Sequence, residues 1–69
     1  MTWFLVYEFF RNRRRELIGI VDTHEKAIRL SLMHSHSIID EYETSDDDNG
    51  TGNVTLIVTF NCEGKVLDI

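Results

Sequence analysis

Apolar and polar positions alternate along this chain in short, strand-length segments, with one stretch of helical period between them. In residues 3–10, seven of eight side chains are apolar or aromatic and Glu8 alone is charged. So short and aromatic a run, ended by a polar turn, predicts a strand with apolar side chains on both faces. Side chains alternate along a strand, so Trp3, Leu5, Tyr7 and Phe9 share one face, and Phe4, Val6, Glu8 and Phe10 the other. A single helix covers one of those faces. What covers the other is the question the pattern raises.

Residues 11–14, Arg-Asn-Arg-Arg, read as a hairpin turn. Residues 15–21 return as a second strand, with Leu17, Gly19 and Val21 on one face and Glu16, Ile18 and Ile20 on the other. A glycine in mid-strand marks a bulge or the close approach of another element, and the helix is expected to cross there. Asp22-Thr23-His24-Glu25 then carries a helix start, an oxygen-bearing side chain followed three residues on by glutamate. Steps of about 100° per residue from Thr23 to His36 put Ala27, Ile28, Ser31 and Ser35 inward, with Leu30 and Leu32 at the margins.

Residues 38–44 predict a short third strand, and 45–53, with three aspartates, two glycines and two asparagines, a solvated loop. Residues 54–61 alternate cleanly: Val54, Leu56, Val58 and Phe60 against Thr55, Ile57 and Thr59. A turn at 61–64 leads to a last strand at 65–69. The expected architecture is α+β in the order β-β-α-β-β-β, a largely antiparallel sheet with one helix packed on one face.

Sixty-nine residues make one small domain, 1–69, and 42% apolar content argues for a folded globule. Cys62 is the single cysteine. It has no partner for an internal disulfide, which fits a reducing, cytoplasmic setting. No stretch reaches the roughly 20 apolar residues needed to cross a bilayer as a helix. The net charge of −5 is uneven. Residues 1–36 hold Arg11, Arg13, Arg14, Arg15, Lys26 and Arg29 against Glu8, Glu16, Asp22 and Glu25, a balance of +2. Residues 37–69 hold Lys65 against eight acidic side chains, a balance of −7. Such asymmetry points to a charged partner or to complementary self-association.

The run from Val6-Tyr7-Glu8 through Gly19-Ile20 to Asp22-Thr23-His24-Glu25-Lys26-Ala27 resembles a type of small bacteriophage and bacterial protein of unknown function. In that type a strand hairpin is followed by an acid- or serine-capped helix. The resemblance covers the first half of the chain. It implies a phage or mobile-element accessory protein and transfers no active site.

Candidate chemistry is sparse. Arg11, Arg13, Arg14 and Arg15 beside an aromatic strand form the kind of cluster that holds nucleic acid, or a solvated turn that protects a sheet edge. Asp46-Asp47-Asp48 fails the calcium-loop pattern, because the fifth position is Gly50 and the twelfth Ile57. His34 and His36 point about 200° apart on a helix and cannot share a zinc ion there with Cys62. No phosphate loop, nucleophile–base set or carboxylate pair stands out. The expectation is therefore a small acidic, non-catalytic protein-binding module without cofactor or metal, which binds or inhibits a host protein. Asp46, Asp47, Asp48, Glu43 and Met33 are its expected protein-binding residues. Trp3, Phe4 and Phe10 are expected to drive self-association into a homodimer. The alternative is a nucleic-acid-binding module built on the arginine turn.

Overall fold

The computed structural model describes residues 1–10, 14–34, 36–46 and 52–67. In chain order these form β1 (Thr2–Phe9), β2 (Arg15–Val21), α1 (His24–Leu32), β3 (Ser37–Asp46) and β4 (Gly52–Phe60). The strands make one antiparallel sheet in the order β2-β1-β3-β4, and α1 packs on one face against β1, β2 and β3. The fold is α+β. The expected fifth strand is, among the described residues, a single bridge between Val66 and Phe60, with Leu67 N–H donating to the Thr59 carbonyl at 2.8 Å. Val66 is 63% exposed, so further pairing there would bury little apolar surface.

The helix begins where the residues dictate. Thr23 has extended backbone, and its Oγ1 accepts the Lys26 N–H at 3.2 Å, which makes it the N-cap. Asp22 instead pairs with Lys26 Nζ at 3.0 Å. The helix is shorter than its periodicity suggests, ending at Leu32 with Met33 as C-cap. Ser37, the first residue of β3, accounts for the early stop. Its hydroxyl lies 2.5 Å from Ser31 Oγ and donates to the Ser31 carbonyl at 3.0 Å, tying the last helical turn to the new strand. Ala27 and Ser31 are buried and Ile28 and Leu30 pack on the core, as the helical period implies. Leu32, expected at the margin of the buried face, is 66% exposed because the helix ends there. Ser35 lies outside the described residues.

Two β-bulges break the alternation read from the sequence. In β2 the register passes from Val6↔Gly19 to Tyr7↔Leu17, so Ile18 is the extra residue. Gly19 and Leu17 consequently fall on opposite faces. In β4 it passes from Glu41↔Val58 to Tyr42↔Leu56, leaving Ile57 extra. Val58 and Phe60 stay on the helix side, while Val54 and Leu56 turn to the other. A bulge opposes two residues to one, and every side chain beyond it changes face relative to simple alternation.

The core lies between helix and sheet: Phe4, Val6, Ala27, Ile39 and Phe60. Phe4 and Phe60 meet edge to face at 6.4 Å between ring centroids, and His24 stacks on Phe60 at 4.9 Å. Phe4, expected among the self-association residues, is thus 6% exposed beneath α1 and unavailable to a partner. The alternation of β1 sends it there together with Val6.

Candidate protein-contact face

The sheet face opposite α1 is built by the odd positions of β1 and by their cross-strand partners. Trp3 stands opposite Tyr42, Leu5 opposite Asp40 and Ile20, and Tyr7 opposite Leu17. Tyr42 in turn faces Leu56, and Thr44 faces Val54. Among the described residues no helix or strand packs over this face, and its more exposed part is the Trp3 end, since Ile38 (opposite Tyr7), Asp40 and Thr59 are buried at 5%, 4% and 8% exposure. Leu17, Ile20, Leu56 and Val54 are 45%, 54%, 50% and 67% exposed. Trp3, Leu5, Ile20, Tyr42, Thr44 and Val54 line an open concavity at one end of it.

A polar island occupies the other end. The Arg15 guanidinium lies over the rings of Tyr7 and Phe9, at 5.5 and 5.8 Å from their centroids. It reaches across β1 to bring Nη1 within 3.8 Å of Asp40 Oδ2. Asp40 is 4% exposed, and its Oδ1 accepts a hydrogen bond from Thr59 Oγ1 at 2.7 Å. Burial, with Tyr42 and Asp40 nearby, raises the Tyr7 hydroxyl above its ordinary value of 10.0, and Arg15 opposes that shift. Tyr7 therefore stays a neutral phenol at physiological pH.

The other expected residues are dispersed. Both carboxylate oxygens of Glu43 are engaged within the chain, Oε1 by the Met1 amino group at 2.9 Å and Oε2 by the Thr2 hydroxyl at 2.6 Å. These contacts hold its carboxyl below the ordinary value of 4.5, the Thr2 hydrogen bond contributing most. Met33 is 78% exposed at the C-terminus of α1. That is the sheet end where β3 begins, whereas Glu43 is near the end where β3 finishes, so the two form no common patch. Phe10 is 43% exposed just beyond β1, its N–H donating to the Arg14 carbonyl at 2.9 Å.

Asp46 ends β3. Asp47, Asp48, Arg11 and Arg13 lie outside the described residues. Arg15 is committed to the polar island. His34 Nδ1 stands 3.5 Å from Glu8 Oε2, and among the described residues no group of three or more His, Cys, Asp or Glu side chains could hold a metal ion. No helix of the described residues is long and apolar enough to cross a membrane.

Reading the sequence alone missed Leu17, Ile20, Tyr42 and Asp40 as members of this face. The signal was present in part, because the two-sided apolarity of β1 requires apolar neighbours on both sides. The bulges that bring Leu17 and Leu56 round carry no mark in the sequence beyond Gly19.

No family model matches the chain, and no curated protein or solved structure is similar to it at a significant level.

Proposed function

We propose that this chain is a small non-catalytic protein-binding module, and that the helix-free sheet face is the surface by which it holds another protein. One observation carries the reading. Leu17, Ile20, Val54 and Leu56 are each 45% exposed or more on the same face of one sheet, contiguous with Trp3, Leu5 and Tyr42. Contiguous apolar patches of more than a few hundred Å² mark interaction surfaces. Aromatic side chains with one arginine, here Trp3, Tyr7, Tyr42 and Arg15, are the composition enriched at such contacts.

The resemblance of the first half to small phage and bacterial proteins supports a wider role as an accessory protein acting on a host protein. In that role Met33, 78% exposed at the C-terminus of α1, remains available to a host partner. The arginine turn as a nucleic-acid site is the competing reading.

A photo-crosslinking residue at Ile20 or Leu56, with the same residue at Arg29 on the outer side of α1 as control, tests the proposal in cells. Protein adducts from positions 20 and 56 and none from 29 are expected. Adducts from 29 alone would place the contact on the helix. Adducts removed by nuclease would favour the arginine-turn reading.

A further inference from the structure

We infer that the protein seated on this face is a second copy of the same chain, the two sheets packing face to face about a two-fold axis. The inference rests on the reading above and names the partner of that surface.

Area supports it first. Four strands of this length, at about 4.8 Å spacing and 3.3 Å per residue, present a face of roughly 20 by 25 Å. Two such faces cover about 1,000 Å² of projected surface, roughly the area that a specific interface has to clear. The single chain also exposes more than its mass calls for. Its accessible surface is 5237 Å², against about 4,500 Å² for a compact monomer of 8.1 kDa. Its buried apolar side chains among the described residues are Phe4, Val6, Ala27, Ile38, Ile39 and Phe60, a thin core for a chain with no disulfide. A second sheet laid on the open face would turn a two-layer structure into a four-layer one, with a second core between the sheets.

A two-fold axis in the plane between the sheets presents the same patch of each copy to the other, as a two-fold interface requires.

Trp3 is the sole tryptophan and lies within the face, so it reports on whether the face is covered. Sedimentation velocity from micromolar to millimolar concentration, with Trp3 emission recorded in the same samples, tests the inference. A dimer is expected that dissociates on dilution as Trp3 emission moves to the red. Ile20→Glu and Leu56→Glu should each raise the dissociation constant roughly ten- to a hundredfold, because each removes one exposed apolar side chain from the contact. Leu32→Glu, on the helix side, should leave it unchanged. Circular dichroism of each variant shows that the fold persists.

A monomer at millimolar concentration with solvent-exposed Trp3 emission would overturn the second copy and leave the protein-contact reading standing. A monomer whose Trp3 emission stays blue-shifted at every dilution would mean that the chain covers its own face, and both readings would fall. A dimer lost in Leu32→Glu and kept in Ile20→Glu and Leu56→Glu would put the interface on the helix.

Discussion

Gly19 lies directly beneath Leu30: a Cβ added to Gly19 would stand 2.5 Å from Leu30 Cδ2, with the next atom of that side chain at 3.9 Å. This contact is where α1 comes down on β2. The bare backbone of Gly19 gives Leu30 its seat, and the bulge at Ile18 beside it puts Gly19 on the helix side.

Gly19→Val therefore sets two effects against each other. Valine favours a strand, but its branches meet Leu30. Leu30 is half-buried, and its far end can swing outward at the loss of part of its packing. A net loss of about 1 kcal/mol is expected, the lower end of overpacking costs. In a Leu30→Ala background the same substitution should become stabilising. Chemical denaturation of the two single variants and the double variant checks this, and simple additivity would mean that the two side chains do not meet.

Thr23, and not Asp22, caps the helix. Thr23→Ala should lower stability by about 0.5–2 kcal/mol, the usual range for a lost N-cap. Asp22→Ala should cost markedly less at neutral pH, because its partner is the exposed Lys26. Hydrogen bonding and charge from Lys26 hold the Asp22 carboxyl below its ordinary value of 3.8. A depressed folded value stabilises above the unfolded one and is lost as pH falls through the folded one. The difference between parent and Asp22→Ala should thus be present at pH 5–7 and fade below about pH 4. Thermal melts across that range read it directly.

His36 has φ of 57°, the left-handed region, and its carbonyl accepts the Phe9 N–H at 2.9 Å. That geometry lets the chain turn from the end of α1 into β3 beside the end of β1. A side chain there costs roughly 1–2 kcal/mol, part of which glycine gives back as unfolded-chain entropy. His36→Gly should stabilise by about 0.5 kcal/mol and His36→Val should destabilise, both by urea denaturation. Equal stability of the two variants would show that the left-handed turn is not kept in solution.

Ser31 and Ser37 share a buried contact at 2.5 Å, and Ser37 Oγ also donates to the Ser31 carbonyl. Ser37→Ala removes both links and leaves a fully buried Ser31 hydroxyl without this partner, which should cost about 1–3 kcal/mol. Ser31→Ala leaves the Ser37 bond to the carbonyl intact and should cost less. The reverse order, by chemical denaturation, would contradict the arrangement.

The helix and the central strand were legible because their signals are local. Thr23 with its neighbouring acids, the small residues Ala27 and Ser31, and the unbroken apolar run of β1 each carry their structure in a few adjacent residues. Gly19 announced the crossing of α1, since no other residue type allows so close an approach. The open face was legible as a surplus of apolar side chains on β1, but its membership was not. Leu17 and Leu56 reach it through bulges, which cost one residue of register and leave little trace in composition. Asp40 was hidden for a different reason: its place in an apolar face depends on Arg15 and Thr59, far from it in sequence and beside it across the sheet. The expected final strand at 65–69 is, among the described residues, a single bridge at Val66, where a side chain 63% exposed gains little burial from further pairing.

Methyl NMR with a paramagnetic cosolute tests most directly whether the helix-free face is a covered protein surface. In a single chain the methyls of Leu17, Ile20 and Leu56, 45–54% exposed, should relax nearly as readily as that of Leu32 at 66%. At concentrations where the complex forms, the three sheet-face residues should become protected while Leu32 and Met33 remain accessible. Equal relaxation of Ile20, Leu56 and Leu32 at every concentration would contradict the account.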